Sequence, residues 1–139
     1  MIKKHKRKNS GYMRRTSRVF FTELNSAKYK KLYQFLQFYA NVVRYFIEML
    51  WSRQDFTNHF NYDDIKKGAK RFHITARLSS LAYKQAKEIV NSQRKKSKRQ
   101  RRMPLFRNIT VNVDSRFYRL SEFNQKHFDW ALTFSSGFP

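Results

Sequence analysis

Apolar and polar positions change period along this chain, and the changes mark its elements. Thr16 to Leu24 (T-S-R-V-F-F-T-E-L) is short and rich in β-branched and aromatic residues, which predicts a strand. From Ala27 the apolar set becomes Leu32, Phe35, Leu36, Tyr39, Val42, Val43, Phe46, Ile47, Leu50 and Trp51. Steps of three and four predict a helix of about six turns. Asn25 or Ser26 is a suitable N-cap. Its stripe is broad, so burial on more than one side is expected. Ser52 to Tyr62 is polar with scattered aromatics and reads as a loop. Asp63 or Asp64 can cap a short helix through Ile65, Ala69 and Phe72, although Gly68 weakens that helix.

The stretch from Ile74 to Arg102 organises the rest. Leu78, Leu81, Ala82, Ala86, Ile89 and Val90 share one helical face, and Thr75 is a plausible N-cap. The apolar face then stops, and R-K-K-S-K-R-Q-R-R fills Arg94 to Arg102. Pro104 breaks any helix beyond it. Ile109 to Val113 (I-T-V-N-V) alternates as a half-buried strand does. Asp114-Ser115 suggests a turn, Phe117 to Leu120 the return strand of a hairpin, and Asp129 to Ser135 a third strand.

This order predicts an α+β fold. A small β-barrel-like lobe, residues 16–24 and 103–139, would carry an inserted helical lobe, residues 25–102. The helical lobe would hold two long helices and a short one. Residues 1–15 form a basic arm, expected to be disordered when free.

Composition changes the picture from fold to partner. In 139 residues there are 31 Lys and Arg against 9 Asp and Glu, a formal charge of +22. A compact chain so cationic repels itself without counter-charge. Nucleic acid is the commonest source of that charge. An anionic membrane is the weaker alternative, because the basic runs do not lie on helices with a continuous apolar opposite face. No window of 18 uncharged apolar residues occurs, so no membrane span is expected. No apolar core follows the basic N-terminus, so a secretory signal is not expected either. That leaves the cytoplasm, or the nucleoid of a bacterium, as the expected location.

The candidate phosphate contacts are Lys3, Lys4, Lys6, Arg7 and Lys8 in the arm, then Arg14, Arg15 and Arg18. In the block they are Arg94, Lys95, Lys96, Lys98, Arg99, Arg101 and Arg102. The plain alternative for each run is a solvated surface. Tyr29, Tyr33, Phe38, Tyr39 and Tyr45 are candidates for base stacking, but aromatics at helical spacing are more often core.

Little else carries chemistry. There is no cysteine, which excludes disulfides and thiolate metal sites. His5, His59, His73 and His127 are far apart in sequence and lack metal-ligand spacing. Three glycines cannot build a Walker loop or a dinucleotide fingerprint. Asp63-Asp64 is the one adjacent carboxylate pair, and a two-metal nuclease site needs more acids converging from other elements. No cofactor, metal or catalytic residue is expected.

The succession of segments resembles a known family. It consists of a basic strand, a helical insertion and the helix I-T-A-R-L-S-S-L-A-Y-K-Q-A-K-E-I-V-N-S-Q-R-K-K at Ile74 to Lys96. Then come P-L-F-R-N-I-T-V-N-V-D-S-R-F-Y at Pro104 to Tyr118 and F-D-W-A-L-T-F at Phe128 to Phe134. This is similar to the N-terminal part of TnpB-type transposon-encoded proteins and the related type V CRISPR effectors. The resemblance implies a wedge-like β-barrel interrupted by a helical recognition lobe. The two would hold guide RNA and read a short DNA motif beside the target. In that family a RuvC-like nuclease domain with metal-binding carboxylates follows, and nothing in this sequence matches it. The resemblance therefore implies a truncated reading frame, a domain fragment, or a recognition module without cleavage. The runner-up is a generic RNA-binding structural protein of ribosomal type, whose composition would look much the same. A DNA-binding regulator ranks last. The long helix after Thr75 is apolar at the end that a recognition helix uses for base contacts.

Overall fold

The computed structural model describes residues 25–53, 61–107, 110–114, 116–125 and 128–134. The expected strand over 16–24, the arm before it and Ser135 lie outside these.

Helix α1 runs Ser26–Ser52. Asn25 caps it, its side chain accepting from the Lys28 N–H at 2.9 Å. Its buried residues are Phe35, Tyr39, Ala40, Val42, Val43, Phe46 and Ile47, the broad stripe that the spacing predicts. Helix α2 spans Tyr62–Phe72. Its cap is Asn61 rather than either aspartate, accepting from the N–H groups of Asp63 and Asp64. An amide oxygen two residues before Asp63 leaves both carboxylates in the first turn, where they complement the helix dipole. The helix ends at His73, in the left-handed region at φ 52°, its N–H directed at the carbonyls of Ala69 and Lys70. Helix α3 covers Ala76–Arg94, with Thr75 capping Leu78 N–H at 3.3 Å.

The core lies between α1 and α3. Ser79, Ala82 and Ala86 keep the α3 face flat, and Leu78, Tyr83 and Val90 fill it. Gly68 seats α2 on this pair. A Cβ there would overlap the Phe46 ring and come within 3.0 Å of Ser79 Oγ. That hydroxyl donates to the Ile65 carbonyl at 2.7 Å, tying α2 to α3. The glycine that weakens the helix on propensity is therefore what lets it dock.

From Arg101 to Val113 the described chain forms no ladder, which corrects the strand expected at Ile109 to Val113. Ile109 itself lies outside the described residues. The segment is a strap across the helices. Arg44 donates to the Phe106 carbonyl through Nε and Nη2, at 3.3 and 3.1 Å. Gln85 Nε2 donates to the Thr110 carbonyl at 3.0 Å and accepts, through Oε1, from the Tyr39 hydroxyl at 3.0 Å. Val111 and Val113 pack on the core. Alternation marks which side faces inward, but here side chains rather than a neighbouring strand take the backbone groups.

Asp114 makes the expected turn, its Oδ1 accepting from Arg116 N–H and its carbonyl from Phe117 N–H. Strands β1 (Tyr118–Gln125) and β2 (Phe128–Phe134) follow as an antiparallel hairpin. The register pairs Tyr118 with Phe134 and Leu120 with Leu132, and it shifts between Glu122 and Gln125. The return strand thus pairs with the chain after it, not with Ile109 to Val113. Phe134 meets Phe35 edge-on at 5.1 Å, which joins the hairpin to α1. Mixed α+β architecture is present. Among the described residues its β part is two strands, and no barrel-like lobe is formed.

Candidate nucleic-acid interface

The basic block begins with an arginine that serves the fold. Arg94, in the last turn of α3, reaches the end of α1. Its Nη2 donates to the carbonyls of Leu50 at 2.6 Å and Arg53 at 2.7 Å, with Trp51 O at 3.4 Å. Its guanidinium also lies 5.6 Å from the Trp51 ring centre. Helix α1 has no basic residue in its own last turn, so this cation supplies what the carbonyl end lacks. Burial pushes the Arg94 guanidinium down from its ordinary value. Arg94 thus holds a structural place at the end of α1.

The other six cations behave differently. Lys95, Lys96, Lys98, Arg99, Arg101 and Arg102 are all exposed. The helix stops at Arg94, and Lys98–Gln100 forms a single 3-10 turn. Arg101 Nε donates to the Lys96 carbonyl at 2.9 Å, and Gln93 Nε2 to the Gln100 carbonyl at 3.0 Å. These bonds fold the run back on itself and gather its charge into a knot at the meeting ends of α1 and α3. Among the described residues, ion pairs join Arg53 and Arg77 to Asp64 and Asp114, with Arg116 also at Asp114. None engages a cation of residues 95–102. Lys3, Lys4, Lys6, Arg7, Lys8, Arg14, Arg15 and Arg18 lie outside the described residues.

Further cations become visible only once the helices are placed. Lys66, Lys67, Lys70 and Arg71 are exposed on α2, in i,i+4 pairs. Arg71 covers the Tyr45 ring at 5.1 Å. Their spacing is legible in sequence, but it gains meaning only if a helix containing Gly68 forms. Lys28, Lys30 and Lys31 are exposed on the first turns of α1.

The aromatic candidates divide. Tyr39 is fully buried, and Phe38 and Tyr45 are half-buried against Phe72. Tyr29 and Tyr33 remain exposed. The carboxylate pair divides too. Asp64 is 1% exposed and held by both Arg53 guanidinium nitrogens, Nη2 at 2.7 Å. Its hydrogen bonds to the Asp64 carboxylate push the Arg53 guanidinium up from its ordinary value. A carboxylate so engaged is not a metal ligand, and no group of three or more His, Asp or Glu converges among the described residues. His73 is an exposed helix terminus; His5, His59 and His127 lie outside the described residues. Two clefts where the strap crosses the helices measure about 210 and 220 Å³. Both fall below the range of small-molecule sites. No described helix is long and apolar enough to cross a membrane.

Compared with protein-family models, curated proteins and solved structures, the chain matches none of them.

Proposed function

We propose that this chain is a nucleic-acid-binding module whose first ligand is RNA. The observation that carries the reading is the knot at residues 95–102. Six exposed cations are drawn together there without a carboxylate partner among the described residues. Gathering like charge is unfavourable for the free chain and favourable beside a phosphate backbone. Such contacts supply affinity and orientation rather than sequence preference.

The finer reading follows the resemblance to the N-terminal part of TnpB-type proteins. The module would hold a guide RNA by its A-form shape, through backbone and 2′-OH contacts, with DNA sequence read by base pairing of that RNA. No residue of this chain is offered as catalytic. The test is to purify the chain at moderate salt and sequence the nucleic acid that accompanies it. One dominant structured RNA encoded near the gene is the expected result. A heterogeneous mixture of cellular RNA and DNA would reject the guide-RNA reading and leave general phosphate binding.

A further inference from the structure

Helix α1 begins before its packing does. The first buried residue is Phe35, so the turns before it overhang the core. Two large aromatics sit on this overhang. Tyr29 and Tyr33 are 59% and 51% exposed, with rings only 16° from parallel and centres 6.3 Å apart. Paired rings lie about 4.5–7 Å apart, so these are near the outer limit and spend little of their faces on each other. Tyr39, farther along the same helix, shows the contrasting case. Its ring is in the core, and its hydroxyl is bonded to Gln85.

The surroundings of the pair are cationic. Lys28, Lys30 and Lys31 are exposed around it, and the first turn holds no acidic residue. Lysines at this end oppose the helix dipole, so they do not serve the stability of α1. Tyr33 lies about 26 Å along the helix from Leu50, where the residue 95–102 knot begins, at about 1.5 Å per residue. The two surfaces are separate and can be altered independently.

We propose that Tyr29 and Tyr33 form a stacking platform for unpaired bases of single-stranded RNA, with Lys28, Lys30 and Lys31 on the flanking phosphates. The proposal rests on the nucleic-acid reading above and narrows it. Phosphate contacts at the knot accept strand or duplex alike, whereas ring faces need bases that are free to splay out. An acidic polypeptide would satisfy the lysines but offer nothing to two parallel aromatic faces.

The test uses the full chain and three labelled ligands: a short mixed-sequence RNA strand, the blunt duplex of that strand, and an abasic strand of equal length. Y29A/Y33A should lose about 10–100-fold affinity for the strand and less than about twofold for the duplex. Its salt slope and circular dichroism should be unchanged. Y29F/Y33F should bind like the wild type, and the wild type should bind the abasic strand as weakly as Y29A/Y33A binds the normal one. Unchanged strand binding by Y29A/Y33A, or equal loss on strand and duplex, would overturn the platform while leaving the nucleic-acid reading intact. Polyglutamate competing as well as RNA would overturn it in favour of an acidic protein partner. Wild-type protein that bound neither strand nor duplex would reject the parent reading, and the platform with it.

Discussion

Gly68 shows how one position can reverse an expectation. On helix propensity alone, Gly68→Ala would stabilise α2 by about 1 kcal/mol. The added methyl would meet Phe46, which is fully buried, and Ser79 Oγ, which is already bonded to Ile65. Overpacking of this kind costs about 1–3 kcal/mol, so a net loss is expected. Urea unfolding of G68A would show it as a lower midpoint; a raised midpoint would mean that α2 does not sit against Phe46. Tyr39 carries a second residue-scale prediction. Burial pushes its phenol up from the ordinary value, with a backbone hydrogen bond at Asn112 acting against this, and burial raises Tyr83 as well. Above pH about 10 the unfolded tyrosines shed protons that the folded ones keep. The native state then binds more protons, so stability is level through neutral pH and falls as pH rises past that value. Tyr39→Phe should reduce the alkaline fall. At neutral pH it should cost about 1–2 kcal/mol, because Gln85 Oε1 loses its buried donor. Thermal melts across pH 7 to about 11 would check both effects.

At the scale of elements, neighbouring arginines divide into two kinds. Arg94→Ala removes the cation from three carbonyls at the end of α1 and should destabilise the fold by about 1–3 kcal/mol. Replacing Arg99, Arg101 and Arg102 with Ala should leave the melting temperature in place. It should weaken RNA binding across all sequences and make the salt slope shallower by about 2. Unfolding and binding titrations run side by side would separate the two kinds; tight binding with an unchanged slope would make the knot a solvated surface. This division also marks the limit of the sequence. Apolar spacing places all three helices, and Asn25 and Thr75 cap as expected, whereas α2 is capped by Asn61 and by neither aspartate. A run of like charges does not tell which member points back at a helix end, so the sequence does not distinguish Arg94 from its neighbours. Alternation over Val111 to Val113 shows an inward face but not that Gln85 would take the Thr110 carbonyl. Periodicity along α1 puts Tyr39 on the apolar stripe, but it does not show where the packing partner stops, and so it does not tell that Tyr29 and Tyr33 stay exposed.

For the whole molecule, net charge and architecture point the same way. The helical core is satisfied within itself: among the described residues, no buried side-chain polar atom lacks a hydrogen-bond partner. Among the described residues, exposed cations gather outside that core, on the 95–102 knot, the exposed side of α2 and the start of α1. A surface so arranged should draw its affinity from displaced counterions. The most direct measurement is the affinity of the purified, nucleic-acid-free chain for a single-stranded RNA across a series of salt concentrations. With the six cations of the knot engaged, the plot of log affinity against log salt should fall with a slope of about −4 or steeper. No measurable binding, or binding with a slope shallower than about −1, would contradict the account.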